Sequence, residues 1–347
     1  MGVKKKHFGY LKDGREAFLY HLENQKGFSV EVTDFGVNIV SIMVRNKFGE
    51  MKDVTLGYET LEGYFENGSM FGATVGRNVN RISHARFSID GKMYEVAKNR
   101  GEHNIHSDKE HGFHKVLWES EIIDENAVKF SYVSPDGEQG FPGELKVSII
   151  YTVTKNNAII ISYYGVSNKK TLINLTNHNY FNLGGHDSGR IEDMEVRILA
   201  DYFTPVDEDT IPTGEIRPVE NTPMDFRKRK LVKDEIGVDD KQLKIGKGYD
   251  HNFVIRNEHC GIRKMAEAID VKQGITMEVY SDLPGMQFYT GNTLKETKGK
   301  GGAIYKERCG FCMEPHYFPD SINKKEFETP IFEAGEVYQT TTIYQFS

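Results

Sequence analysis

Alternation is the feature that most limits what this chain can fold into. Leu145, Val147, Ile149, Tyr151 and Val153 alternate with Lys146, Ser148, Thr152 and Thr154, and only Ile150 breaks the pattern. A period of two places every apolar side chain on one face of a strand. Residues 155–158 (Lys-Asn-Asn-Ala) then supply a turn, and Ile159, Ile161 and Tyr163 open a partner strand, which predicts a hairpin. Ile275, Met277 and Val279 repeat the pattern, as do Val337, Thr341 and Ile343 near the end. Further strands are predicted at 28–33, 38–45, 86–89 and 128–133. Turn pairs punctuate these runs at Asp90-Gly91, Asp136-Gly137, Lys247-Gly248 and Gly301-Gly302. Helical patterning is sparse: one turn at 61–65 and a short, charged surface helix at 227–236. The reading is an all-β fold, a large single-domain β-sandwich over 1–347 with few short helices. Residues 201–247, with Pro205, Pro212, Pro218 and Pro223, read as a long excursion over one face.

Composition narrows the partners. The formal net charge is −7 and the pI about 6.0, so nothing favours nucleic acid or an anionic membrane. Mean hydropathy is −0.53, and no apolar run reaches the roughly 18 residues of a membrane span. The basic start, Met1-Gly-Val-Lys-Lys-Lys-His7, runs into polar sequence rather than an apolar signal core. Lys6 stands where a myristoylation motif wants Ser or Thr. A soluble, cytoplasmic protein is the expectation. Cys260, Cys309 and Cys312 are too few for a disulfide framework. Cys309-Gly-Phe-Cys312 lacks the second ligand pair of a zinc site. In a strand its two thiols point to opposite faces, so both read as small core-side residues.

The candidate chemistry is spread over several segments. In residues 174–185, Asn174, Thr176, Asn177, His178, Asn179, Tyr180 and Asn182 interleave with Leu175, Phe181 and Leu183. The polar set reads as a wall facing a polar ligand, with one imidazole that titrates near neutral pH. A histidine among neutral hydrogen-bonding groups suits proton transfer on a hydroxyl-rich ligand; a structural histidine at a strand end fits equally. His103, His106, His111 and His114 share a loop with Asp108 and Glu110. Their spacing matches no zinc motif, so a solvated loop with a buried His106 is expected. Arg81 beside Asn80 can bracket vicinal hydroxyls with fixed donors, whereas Arg77 suits structural ion pairs. Asp250 can accept bonds from adjacent hydroxyls, or simply cap a turn. Gln287 adds an amide near aromatic rings. Glu314 ends an apolar run before Pro315, an awkward place for an acid without a function or partners. Asp320 looks like a turn residue, although two carboxylates here also fit a glycoside hydrolase.

In this order the segments resemble the aldose 1-epimerase (galactose mutarotase) family. The resemblance rests on Gly76-Arg-Asn-Val-Asn-Arg-Ile82, Asn104-Ile-His106, Asn174-Leu-Thr-Asn-His178, Tyr180-Phe-Asn-Leu-Gly184, Gly248-Tyr-Asp250, Gln287-Phe-Tyr-Thr-Gly-Asn292 and Glu314 followed by Phe318-Pro-Asp320 and Asn323. It implies a galactose mutarotase-like supersandwich with a sugar cleft across one sheet. It implies interconversion of the α and β anomers of free aldohexoses, without cofactor or metal. Glu314 matches the general base and His178 the general acid. Asn80, Arg81, His106, Tyr180, Asp250 and Gln287 match the sugar-holding residues. Asn174, Asn177 and Asn182 then fix the strand end and the imidazole's orientation. The implied partner is a monosaccharide, with no nucleic acid or membrane, and the implied assembly a monomer or homodimer. The chain departs from the family pattern at Ser107 and Asp108 (usually two glycines), Asn179 (usually Thr or Ser) and His316 (usually Gln). Those departures are expected near the cleft rim, where they bear on sugar preference. A non-catalytic sugar binder and a sugar-phosphate epimerase, which needs basic residues around the cleft, are the remaining rivals.

Overall fold

A computed structural model describes residues 2–257 and 261–347. Cys260 and Met1 lie outside the described residues. The predicted hairpin is present as Leu145–Val153 and Ala158–Ser167, paired antiparallel from Leu145↔Ser167 to Val153↔Ile159. The residues read as apolar are the buried ones: Leu145, Val147, Ile149, Tyr151 and Val153.

The hairpin sits inside a nine-stranded antiparallel sheet. Its order is Glu119–Asp124, Ala127–Ser134, the hairpin, Val337–Phe346, Ile275–Ser281, Arg263–Asp270, Glu195–Ile198 and Lys230–Leu231. The C-terminal strand thus slots between strands far away in sequence, pairing with Ala158–Ser167 on one side and Ile275–Ser281 on the other. Opposite lie two five-stranded sheets. One is the N-terminal meander from Lys4–Tyr10 to Met51–Asp53. The other runs Arg217–Pro218, Ala200–Thr204, Asp250–Ile255, Gly285–Tyr289, Cys312–His316. One apolar cluster joins the inner faces: Val147 and Ile149 from the large sheet, Val30 and Ile42 from the meander, Phe253, Phe288 and Met313 from the third sheet. The architecture is an all-β sandwich.

The strands predicted at 28–33, 38–45, 86–89 and 128–133 appear as Ser29–Thr33, Ile39–Arg45, Arg86–Ile89 and Ala127–Ser134. The single turn at 61–65 is the helix Leu61–Glu66. The surface helix expected at 227–236 does not form. Lys230–Leu231 joins the edge of the large sheet instead, and only a 3-10 turn, Val232–Asp234, follows. Val232 and Ile236 are buried, but no apolar repeat long enough to bury a helix face surrounds them. A helix at Lys241–Gly246 went unanticipated. Asp240 caps it, accepting the Gln242 and Leu243 N–H groups at 2.8 and 3.1 Å. It ends in the predicted Lys247-Gly248 turn, where a Cβ on Gly248 would stand 2.4 Å from Asn292 Oδ1. The next strand begins at Asp250. Among the described residues no helix is long and apolar enough to cross a membrane.

Candidate active site

Three strands of the third sheet form the floor of a cleft. Residues paired across antiparallel strands share a face, and that face recurs every second residue. Asp250, Tyr289 and Cys312 form one such row. Asn252, Gln287 and Glu314 form the next. The alternate residues, Phe253, Phe288 and Met313, belong to the core. Glu314 therefore ends no buried run by accident: its neighbours face inward and it faces the cleft.

His178 arrives from another direction. Thr176–His178 pairs with Ala73–Val75, putting His178 opposite Ala73. The Gly72 N–H donates to the His178 carbonyl at 3.1 Å. Gly72 has φ +66°, and a Cβ there would lie 2.0 Å from the Ile39 carbonyl oxygen, so only glycine closes this end. His178 Nε2 then stands 3.7 Å from Glu314 Oε1. Both side chains are buried. The second carboxylate oxygen, Oε2, has no partner among the described residues. Burial, reinforced by the Asp250 charge, pushes the Glu314 carboxyl well above the usual carboxylate range, with Arg81 opposing. Burial pushes His178 down to about 4. The two shifts open a pH range above about 4 in which the pair holds one proton.

The remaining predicted residues converge on the same cleft. Arg81 Nη2 donates to Asp250 Oδ2 at 3.0 Å, Nη1 to Asn80 Oδ1 at 2.9 Å, and Nε to Thr210 Oγ1 at 2.9 Å. Gln287 Nε2 donates to the other Asp250 oxygen at 2.6 Å. The Asn80 N–H donates to His106 Nδ1 at 3.2 Å, and the His106 N–H returns to the Asn80 carbonyl at 2.9 Å. The His106 and His178 rings meet edge-on, centroids 5.0 Å apart, and Tyr180 lies 5.1 Å from His178 on its other side. The cleft holds about 210 Å³, below the roughly 300–1,000 Å³ of drug-sized sites and suited to a smaller ligand. A larger groove of about 930 Å³, lined by Lys5, Asp34, Trp118 and Lys146 among others, brings together no comparable acid–base pair.

Several expectations need correction. Of the loop histidines, His103 and His114 are the buried ones; His106 is half-buried because it opens on the cleft. Arg77 is structural but forms no ion pair among the described residues. It donates to the carbonyls of Pro142 and Gly143, each at 2.9 Å. The asparagines do not face a ligand. Asn174 clamps the Tyr317 backbone through both amide atoms, Asn177 donates to Gly72, and Asn182 donates to Gly189 and Cys309. None of these bonds reaches the imidazole. Its Nδ1 instead faces Cys312 Sγ at 3.8 Å, so Cys312 borders the site rather than simply filling core. Cys312 and Thr210 escaped sequence reading. The i, i+2 spacing of Cys312 and Glu314 was the available signal for the first; nothing local signals the second. Among the described residues, His178, Cys312 and Glu314 are the group whose donor atoms lie close enough for a metal, within 4.8 Å of one another. The thiol is buried behind the imidazole, and burial holds it protonated, which disfavours it as a ligand.

A family model described as "Aldose 1-epimerase" matches residues 19–345. The chain belongs to the aldose 1-epimerase family. It is 41% identical to a rat galactose mutarotase, covering 100% of this chain and 99% of that protein. It is 43% identical to the bovine galactose mutarotase, over 92% and 91%. It is 34% identical to the Escherichia coli K12 aldose 1-epimerase, over 96% of each. Among solved structures it is similar to a GalM/aldose epimerase homologue from C. elegans (TM-score 0.88, 27% identity, 95% of this chain and 99% of that one). It is also similar to galactose 1-epimerase from Lactobacillus acidophilus (TM-score 0.87, 26%, 99% and 98%). The departures from the aldose 1-epimerase pattern do not line the cleft. Ser107 is buried and exchanges hydrogen bonds with the Asn78 backbone, Asp108 caps the Glu110 and His111 N–H groups, and Asn179 turns inward to accept the Thr55 hydroxyl. His316 donates its Nδ1–H to the Tyr317 carbonyl.

Proposed function

We propose that the chain interconverts the α and β anomers of free aldohexoses, galactose and glucose among them, by acid–base ring opening and reclosure without a cofactor. The observation that carries this reading is the buried His178–Glu314 pair, with the free Glu314 oxygen beside a cleft of amides, imidazole and guanidinium. Glu314 takes the proton from the anomeric hydroxyl. As C1=O1 forms and C1–O5 breaks, His178 gives a proton to O5. Rotation about C1–C2 turns the aldehyde, and closure on its other face returns both protons. The two forms of the one-proton pair are carboxylate with imidazolium, and carboxylic acid with imidazole. Ring opening converts the first into the second and closure restores it, so the cycle needs no proton from water. Arg81, held by Asp250, and His106, held by Asn80, orient the sugar and steady charge on its oxygens. Tyr180, Asp250 and Gln287 complete the sugar contacts.

Asp250 is a poor second carboxylate for glycoside hydrolysis, because Arg81 and Gln287 occupy both of its oxygens. Asp320 is turned to the Ser83 N–H, outside the cleft. Polarimetry on freshly dissolved α-galactose tests the reading. Glu314→Gln should fold, bind sugar and lose about 10²–10⁴-fold in rate; a near-normal rate would sink the proposal. A second reading has one observation in its favour. Arg100, Lys109 and Lys247 line the same cleft, exposed and without a carboxylate partner among the described residues. Such a rim suits an aldose carrying a phosphate. A preference for glucose 6-phosphate over glucose that disappears at high salt would favour it.

A further inference from the structure

Among the described residues, the β-branched side chains at positive φ are Val37 (46°) and Thr210 (65°). A branched Cβ is badly placed in that region, where it crowds the backbone carbonyl. Val37 is sealed in the core. Thr210 instead stands at the tip of a turn and lines the cleft. We propose that Thr210 is a positioning residue: a strained turn holds its hydroxyl as the third fixed point of the Arg81 guanidinium. This rests on reading Arg81 as a residue that orients the sugar.

The turn itself has no use for a threonine. The Thr210 N–H donates to the Asp207 carbonyl and the Asp207 N–H to the Ile211 carbonyl, each at 2.9 Å. Asp207 Oδ1 accepts the Asp209 and Ile211 N–H groups at 3.0 and 2.9 Å. These bonds close a three-residue connection whose last residue is left-handed, a place that glycine or asparagine fills without strain. Its base is clamped by the Gln242 amide, which bonds both the N–H and the carbonyl of Val206. On the tip's other side His103 Nε2 stands 3.6 Å from Asp209 Oδ2. The threonine hydroxyl is where the difference is felt. It donates to the Asp209 carbonyl, so its lone pairs are what it offers the cleft, and one accepts Arg81 Nε–H at 2.9 Å. Asn80 and Asp250 hold the two other nitrogens. Two fixed points leave a planar group free to swing about the line joining them; the third sets its plane. Arginine has five N–H donors, so two remain, aimed by that plane at the sugar. Residues held in sparsely populated backbone regions gather at ligand clamps, and Asn80 and His106 in this cleft also have positive φ.

Three variants separate the backbone from the hydroxyl. Thr210→Gly removes strain and hydroxyl together, Thr210→Val keeps the branch without the hydroxyl, and Thr210→Ser keeps the hydroxyl without the branch. Galactose kcat/KM should follow the hydroxyl: down about three- to tenfold in the glycine and valine variants, mostly through KM, and largely recovered in the serine variant. Tm should follow the backbone: no lower than native for glycine and serine, lower for valine. Nitrogen-15 NMR of arginine-labelled protein, with the Arg81 Nε–H signal assigned by its loss in Arg81→Lys, reads the bond directly. Its exchange with water should be slow in the native and serine proteins and faster in the other two. A glycine or valine variant whose Arg81 Nε–H stays slow overturns the proposal, and so does faster exchange with native kcat/KM. A glycine variant that melts lower as it loses kcat/KM overturns it too, because a merely structural bond would behave that way. Exchange and Tm need no turnover, so failure here is separable from failure of the anomer reading, which Glu314→Gln tests.

Discussion

Asp250 shows how much one side chain organises. Its two oxygens take the Arg81 guanidinium and the Gln287 amide, and its side chain is 19% exposed. An ionised carboxylate has about four acceptor positions, so lone pairs remain for sugar hydroxyls. Asp250→Asn loses the charge that holds Arg81 in place. A charge-assisted bond of this kind is worth about 1.5–3 kcal/mol, so kcat/KM should fall about 10- to 150-fold, mostly through KM. An unchanged KM would mean that Arg81 is held without it. Single residues also set the pH response. The proposed reaction needs one proton on the His178–Glu314 pair. Below about pH 4 His178 takes up a second proton; on the alkaline side the raised Glu314 gives up the only one. The rate above background should therefore be bell-shaped, with an acid limb near pH 4 and an alkaline limb displaced above the ordinary carboxylate range. Its two limbs belong to the pair rather than to either residue. An acid limb centred near pH 6.5, where an unperturbed histidine titrates, would contradict this.

Elements were unevenly legible. The hairpin at Leu145–Val153 could be read because its two faces meet different solvents and its turn is local. The insertion of Val337–Phe346 between Ala158–Ser167 and Ile275–Ser281 could not, since pairing between distant strands leaves no spacing signal. The segment 227–236 misled because its charges suggested an exposed helix, whereas Lys230–Leu231 had a vacant sheet edge to join. Arg77 was recognised as structural, but its partners are backbone carbonyls, which carry no residue identity to read. Those bonds tie the turn at Pro142-Gly143 to the strand end before Arg81. Arg77→Met should strand two carbonyls and cost about 2–4 kcal/mol of stability, seen as a lower Tm. The rate per folded molecule should stay within about twofold, because Arg77 touches nothing in the cleft.

Across the whole molecule, the polar residues singled out from the sequence converge, while their supports were poorly legible. His178, Glu314, Asp250, Gln287, Arg81, Asn80, His106 and Tyr180 meet in one cleft although they span residues 80 to 314. Cys312 carried only its i, i+2 spacing from Glu314 as a signal, and Thr210 became visible only through its bond to Arg81. Another group hidden from sequence is Asp34, which lies under the larger groove and accepts the Phe18 N–H at 2.8 Å. Burial raises it to about 7, while an unfolded aspartate ionises near 4. The folded form holds the extra proton between those values. Asp34's contribution to stability is therefore greatest below about pH 4 and is lost as pH climbs toward 7. Asp34→Asn keeps an acceptor for Phe18 and should flatten that part of the Tm–pH curve. An unaltered slope would place the proton elsewhere.

The cleft floor has a consequence for how such a protein can change. Asp250, Gln287 and Glu314 owe their common orientation to the pleat of three neighbouring strands, not to adjustable side-chain reach. Shifting any one of these strands by a residue turns its contribution into the core and brings an aromatic or methionine to the sugar. Insertions and deletions there are all-or-nothing. The loops carrying His106, Thr210 and Lys247 obey no such parity, and lengthening them by a residue alters the walls while the floor stays put. Directed evolution toward other aldoses should therefore accumulate its useful length changes in those loops and leave the strands at constant length.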